Sequence, residues 1–229
     1  MLPELEIGYH AYGKLNANQD NVIWVCHALT ANSDPLEWWP GLFGHNDLFN
    51  PKEHFIVCAN ILGSCYGSTG PLSTDPRTGE AYYHHFPQLT IRDLVKAHQL
   101  LADHLGIDKI HLLTGGSLGG QQALEWAIEA PDRVENLALI ACNAWHSPWG
   151  IAFNESQRMA IEADQSWREN HPKAGLEGMR TARSIALLSY RNPETYRFKQ
   201  EEAHNEKLDD FNAASYQQYQ GTKLAKRFN

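Results

Sequence analysis

Four short apolar segments constrain the fold of this chain more than any other feature. Each is rich in Val, Ile and Leu and nearly continuous rather than alternating, which is typical of strands covered on both faces. They are NVIWVCHAL (21–29), HFIVCANIL (54–62), KIHLLTGG (109–116) and VENLALIACN (134–143). Helix-like segments separate the later ones, and this alternation predicts a mainly parallel sheet with flanking helices, an α/β fold. The alternating stretch LEIGYHAYG ahead of them predicts an antiparallel edge strand or a hairpin.

Two segments have the spacing and end signals of helices. In TIRDLVKAHQLLADHLG, apolar residues recur every three or four positions, Thr90 can cap the start, and Gly106 can end the helix. LGGQQALEWAIEAP follows Ser117 and is closed by Pro131. The order of elements is therefore strand, helix, strand, helix, strand.

The strand signal disappears at about Trp145, and the remaining sequence is polar and helix-leaning. We therefore predict an α/β core over residues 1–146 and a helical lid region over residues 147–229. A lid that packs over the carboxyl edge of the sheet is favoured, and a partly disordered tail is the alternative.

The composition and charge of the chain argue against several classes of function. A chain of 229 residues with 42% hydrophobic residues can bury one large core. Its net charge of −8 argues against nucleic acid or an anionic membrane as a partner, so a small-molecule substrate is expected. The four cysteines show no CxxC or metal-ligand spacing, and no leader-like or membrane-spanning segment is evident. We expect a cytoplasmic protein without a metal.

The segment TGGSLGG predicts a catalytic serine. Gly115, Ser117 and Gly119 fit G-x-S-x-G between a predicted strand and a predicted helix, the setting of a nucleophile elbow. Small neighbours are needed because the serine sits in a strained turn against adjoining backbone. Two alternatives are a glycine-rich turn with an incidental serine and a phosphate-binding loop. The second is weak because no Lys follows at P-loop spacing.

An acyl-transfer site also needs backbone donors for the oxyanion. We predict the N–H groups of Leu118, which follows the serine, and Leu29, which lies in the loop after the first apolar strand. Thr30 is the neighbour most easily confused with Leu29. His27 is interpreted as a residue that orients this loop, because a general base is expected downstream of Ser117.

Several segments together resemble the homoserine O-acyltransferases, enzymes with an α/β-hydrolase fold. They are YGKLN, VCHALT, NILGSCYGSTGP, FPQLTIRDLVKAHQLL, TGGSLGGQQALEWA, LSYRN and SYQQYQGTKLAKRF, in order along almost the whole chain. The resemblance implies acyl transfer from acyl-CoA, most simply acetyl-CoA, to L-homoserine in methionine biosynthesis, through an acyl-Ser117 intermediate. It also implies that Arg191 binds the homoserine carboxylate, that no cofactor beyond the acyl-CoA co-substrate is needed, and that lid helices form a homodimer.

The resemblance further places the acid and base of the triad on loops after two later strands. No Asp or His downstream of Ser117 follows a strand-like segment in the required order. We therefore expect residues 1–229 to correspond to the first two thirds of such an enzyme, to expose an apolar sheet edge and to be inactive alone. The alternatives are an esterase of the same fold, a succinyltransferase, transfer to serine, and a silent folded module.

Overall fold

A computed structural model describes residues 2–202 and 208–228, and its central feature is a five-stranded sheet. The strands are β1 (Tyr9–Tyr12), β2 (Val22–Cys26), β3 (Phe55–Ala59), β4 (Ile110–Gly116) and β5 (Val134–Ile140). Their order across the sheet is β1-β3-β2-β4-β5. Strand β1 is antiparallel to β3, and the other neighbouring pairs are parallel. The predicted α/β fold with its antiparallel edge strand is thus confirmed.

Three α-helices accompany this sheet in the described part of residues 1–145. They are α1 (Pro35–Trp38), α2 (Ile91–His104) and α3 (Leu118–Glu129), with short 3-10 turns at Tyr83–His85 and Pro131–Arg133. Helix α2 begins as predicted. The Thr90 hydroxyl accepts from the Asp93 N–H, and the Asp93 carboxylate accepts from the Thr90 N–H in return.

The direction of the connections decides which face each helix covers. Crossovers β3–α2–β4 and β4–α3–β5 run the same way across the sheet, so right-handed connections put α2 and α3 on one face. There they pack on Val22, Trp24 and Cys26 of β2. The β2–β3 connection runs the opposite way, and its apolar side chains cover Ile23 and Val25 on the other face.

The chain divides into two compact units, Met1–Trp145 and His146–Asn229. The second unit contains α4 (Pro148–Glu162), α5 (Leu176–Tyr190), α6 (Pro193–Gln200) and α7 (Asn212–Ala225), with a 3-10 turn at Gln165–Arg168. Helix α5 packs closely against α4 at Gly178, where a Cβ would come 2.6 Å from the Ile161 Cα. The Asp164 carboxylate accepts the Gly178 N–H at 2.9 Å, which holds the pKa of Asp164 below its usual value.

Strand β5 forms one edge of the sheet, and within the described residues no strand pairs with its outer side. Its side chains are also open to solvent: Leu137 is 39%, Leu139 39% and Ile140 42% exposed. An apolar edge with unpaired backbone groups is a template for association with other strands.

We expect Leu139→Lys to reduce concentration-dependent association of the chain, because a charge on an edge strand opposes edge-to-edge pairing. Dynamic light scattering over a concentration series measures the effect. The matched control is Leu100→Lys, since Leu100 is 60% exposed on α2 and lies away from the edge. Equal reduction by both variants would contradict an edge-specific cause.

Candidate active site

Ser117 is the single residue between strand β4 and helix α3. Its backbone has φ 55° and ψ −121°, in the region of positive φ that a residue with a Cβ rarely adopts. The Ser117 N–H donates to the Ile140 carbonyl at 3.0 Å, and the residue is exposed to solvent. The chain thus presents a serine hydroxyl in a strained strand-to-helix turn.

Two glycines allow this turn to lie close to β2. A Cβ on Gly119 would overlap the Cys26 carbonyl oxygen and come within 2.8 Å of the His27 carbonyl oxygen. A Cβ on Gly115 would also come 2.8 Å from the Cys26 carbonyl oxygen. The first turn of α3 therefore rests directly on the end of β2, where no larger residue fits.

This close packing places the two predicted oxyanion segments next to each other. Leu118 is the first residue of α3, so its N–H has no acceptor within the helix and lies at the positive end of the helix dipole. Leu29 lies in the turn after β2, in which the Ala31 N–H donates to the Ala28 carbonyl and the Leu29 N–H takes no part. Strands β2 and β4 are neighbours, and both segments follow their carboxyl ends.

His27 has the environment of a structural residue. Its side chain is fully buried, its Nδ1 lies 2.8 Å from the Ala28 carbonyl oxygen, and its Nε2 lies 3.2 Å from the Ile61 N. The ring is therefore a neutral bridge in which Nδ1–H donates and Nε2 accepts. Burial lowers the pKa of His27, which keeps the ring neutral. Both nitrogens are occupied, so His27 is not available to take a proton from Ser117.

Within residues 2–202 and 208–228, no imidazole is hydrogen-bonded to the Ser117 hydroxyl. His98 is the other fully buried histidine of the first unit. Its Nε2 contacts the Gln122 side chain. The site in the first unit thus combines a candidate nucleophile, Ser117, with two candidate amide donors.

Arg191 caps the C-terminal end of α5 in the second unit. Its guanidinium is exposed and lies 3.4 Å from the Tyr216 hydroxyl oxygen, to which it can donate. It lines a cavity of about 130 Å³ whose other walls come from α6 and α7; they are Thr195, Tyr196, Lys199, Gln200 and Tyr216. Among the described residues, this lining carries two cationic groups and no acidic side chain, which suits a small anion.

Comparison with known proteins identifies the family. A family model described as alpha/beta hydrolase fold matches residues 21–229. The chain belongs to the α/β-hydrolase fold family. The parallel strands β2–β5 and the serine between β4 and α3 agree with this assignment.

Among curated proteins, this α/β-hydrolase is 54% identical over 227 residues to a homoserine O-acetyltransferase from Cyclobacterium marinum. That match covers 99% of this chain and 64% of the relative, and a second homoserine O-acetyltransferase, from Chloroherpeton thalassium, is 45% identical with 61% of its length covered. The chain therefore spans less than two thirds of the length of these relatives.

Solved structures point to the same fold. The homoserine O-acetyltransferase of Staphylococcus aureus is 30% identical with a TM-score of 0.75, over 98% of this chain and 62% of that one. The acetyl esterase MekB is 26% identical with a TM-score of 0.79, over 96% of this chain and 63% of that one. The structural neighbours of this chain thus include both a homoserine O-acetyltransferase and an acetyl esterase.

Sequence reasoning missed the buried polar pair His98 and Gln122 of this α/β-hydrolase, because both residues lie within ordinary amphipathic helix patterns. A histidine and a glutamine on the apolar faces of two successive helices are the signal that could have revealed it. Among the described residues, no group of three or more His, Cys, Asp and Glu side chains suits a metal ion. Nor does that part of the chain contain a helix long and apolar enough to cross a membrane.

Proposed function

We propose that the whole protein is an acyl-CoA:L-homoserine O-acyltransferase, with acetyl-CoA as donor and O-acetylhomoserine as product for methionine biosynthesis. The observation that carries the proposal is the exposed Ser117 in a strained turn, directly before Leu118, whose N–H begins a helix and has no acceptor within it. Similarity to homoserine O-acetyltransferases over almost the whole chain supports this reaction among those that a nucleophilic serine can perform.

The proposed reaction has two half-reactions at Ser117. The hydroxyl oxygen attacks the thioester carbonyl carbon while a general base takes its proton, and the C–S bond then breaks as CoA leaves as the thiol. The side-chain hydroxyl of homoserine next attacks the acyl-serine ester while the base takes its proton, and the ester C–O bond breaks as the Ser117 oxygen leaves and receives that proton. In both steps the developing oxyanion is stabilised by the N–H groups of Leu118 and Leu29, with Thr30 as the alternative to Leu29.

Arg191 is proposed to bind the carboxylate of the acceptor amino acid. A guanidinium matches a carboxylate through two parallel hydrogen bonds, which a simple esterase does not require. The cavity that Arg191 lines is of a size for a small anionic group and contains a second cation, Lys199. Acceptor recognition by Arg191 therefore distinguishes transfer to homoserine from hydrolysis.

Hydrolysis is the second candidate function because the acetyl esterase MekB shares the fold at 26% identity. In this alternative, water replaces homoserine as the acceptor of the acyl group from Ser117. Succinyl transfer and serine as acceptor differ only in the substrate that occupies the same site.

We also propose a cytoplasmic homodimer that uses helices of the second unit. Three large apolar side chains of this unit support it, since Trp149 is 74%, Met159 61% and Phe198 86% exposed. Light scattering coupled to size-exclusion chromatography gives the mass, and a monomer at all concentrations would remove this part of the proposal.

The proposed function is tested with protein produced from its native gene. Acetyl-CoA and L-homoserine are supplied, and mass spectrometry detects O-acetylhomoserine and the acetylated peptide that contains Ser117. We expect both species with wild type and neither with Ser117→Ala. Parallel reactions with water alone, succinyl-CoA or L-serine assign donor and acceptor. Release of acetate at the same rate with and without homoserine would identify an esterase instead.

A further inference from the structure

A buried hydrogen-bond chain runs from helix α2 to the first turn of α3. The His98 Nε2 lies 2.9 Å from the Gln122 Oε1, and the Gln122 Nε2 donates to the Leu118 carbonyl at 3.2 Å. His98 is 2% exposed and Gln122 is fully buried. Leu118 is the residue whose N–H is the proposed oxyanion donor, so the chain ends on the catalytic turn.

The direction of each hydrogen bond follows from the chemistry of the groups. A backbone carbonyl only accepts, so the Gln122 amide must turn its NH₂ toward Leu118 and its oxygen toward His98. An amide oxygen also only accepts, so His98 must carry its proton on Nε2. Burial lowers the pKa of His98 to about 4, which keeps the ring in this neutral form.

Aromatic packing fixes the position of the His98 ring. Its centroid lies 5.9 Å from that of Trp24 on β2 and 6.1 Å from that of Trp126 on α3, and the two indoles are 5.0 Å apart. Strand β2 leads into the loop that contains Leu29, the other proposed donor. These three rings thus connect strand β2, which leads to Leu29, with helix α3, which begins at Leu118.

We propose that Gln122 and His98 are positioning residues for the oxyanion site: Gln122 holds the Leu118 carbonyl, and His98 fixes the orientation of Gln122. The catalytic part of this inference rests on the proposed acyl transfer. The carbonyl and the N–H of Leu118 flank the same Cα, so the Gln122 side chain adds a second restraint, beside the backbone bond of α3, on the residue that carries the donor.

The hydrogen-bond chain is tested first on the unmodified protein. Long-range proton–nitrogen NMR of histidine-labelled protein reports the tautomer of each ring, and His98→Gln assigns the signal. We expect His98 as the Nε2–H tautomer at neutral pH, with its signals shifted by Gln122→Leu and unchanged by the matched control Gln121→Leu. An Nδ1–H tautomer, or equal responses to both leucine variants, would overturn the proposal.

The positioning role is tested by steady-state kinetics of O-acetylhomoserine formation. Gln122→Leu and His98→Leu are each expected to lower kcat by about 10- to 100-fold, because a displaced Leu118 N–H stabilises the oxyanion of the transition state less well. The KM for acetyl-CoA should change little, because the oxyanion is absent from the bound substrate. His98→Gln keeps a donor near the Nε2 position and should retain kcat within about threefold. His104→Leu, an exposed position at the end of α2, is the matched control.

The two experiments separate this inference from the proposed function. Absence of turnover by wild type would remove the proposed acyl transfer, and with it the catalytic part of the inference, whereas the NMR measurement still decides whether His98 donates to Gln122. Turnover of Gln122→Leu at the rate of Gln121→Leu would overturn the positioning role while leaving the acyl transfer intact.

Discussion

Replacing Gly119 by Ala is expected to lower the free energy of unfolding by about 4 kcal/mol or more, the largest effect of any single methyl group in the elbow. The added Cβ would overlap the Cys26 carbonyl oxygen, and it would also press on the His27 carbonyl oxygen at 2.8 Å. Both obstacles are backbone atoms of β2 and the loop that follows it, so no side chain can rotate away to relieve them. The turn must separate from the sheet, which also displaces Ser117.

The matched control is Gly116→Ala, three residues away in the same segment. A Cβ on Gly116 would find its nearest neighbour, the Ile140 carbonyl oxygen, at 3.7 Å, which is an ordinary contact. We expect its free energy of unfolding to stay within about 1 kcal/mol of wild type. Denaturant unfolding followed by circular dichroism measures both variants. Similar losses in the two would show that β2 does not cause the effect at Gly119.

Acidification is expected to destabilise the protein between about pH 6.5 and pH 4, through His98. The pKa of this ring is lowered from 6.5 to about 4 in the folded state, first by burial and further by the nearby His27. In this interval the unfolded chain binds a proton that the folded chain does not, so the free energy of unfolding falls as the pH falls. The difference between the two pKa values corresponds to a loss of about 3 kcal/mol.

His98→Gln provides the comparison because it removes the titrating group and keeps a hydrogen-bond donor. The variant should show a much smaller loss of stability from pH 6.5 to pH 4.5, measured by urea unfolding at each pH. His27 contributes in the same direction, since its pKa is also lowered by burial, so some slope is expected to remain. The carboxylates of Asp75, Asp93 and Asp164, whose pKa values are lowered, lose their contributions only at still lower pH. Parallel curves for wild type and His98→Gln would contradict the assignment.

Much of the first unit could be predicted because its sequence signals are local. Continuous apolar runs identified β2 to β5, and the Thr90 cap and Gly106 stop delimited α2. The G-x-S-x-G spacing likewise predicted that Ser117 occupies a strained turn, and its φ of 55° agrees with that prediction. In each case, steric or hydrogen-bonding requirements act over a few residues.

Other features depend on contacts between distant parts of the chain. Nothing near Gln122 in sequence indicates that it accepts from His98, which precedes it by 24 residues. The hydrogen bond from the Ile61 N–H to His27 Nε2 similarly joins the end of β2 to the segment after the next strand. The short helix α1 also escaped prediction, and α6 was not delimited within the predicted helical region, since each contains too few residues to show a helical period. The roles of Leu29, Leu118 and Arg191 stay predictions.

The hydrogen bond from the Ser117 N–H to the Ile140 carbonyl ties the turn that carries the candidate nucleophile to the edge strand β5. We expect this hydrogen bond to help hold Ser117 at its unfavourable backbone angles while the last residue of β5 stays in place. Fraying of that strand would release the tension stored at Ser117 and expose its amide proton to exchange. We therefore expect that a change which weakens the pairing of β5 with the sheet also lowers the reactivity of Ser117.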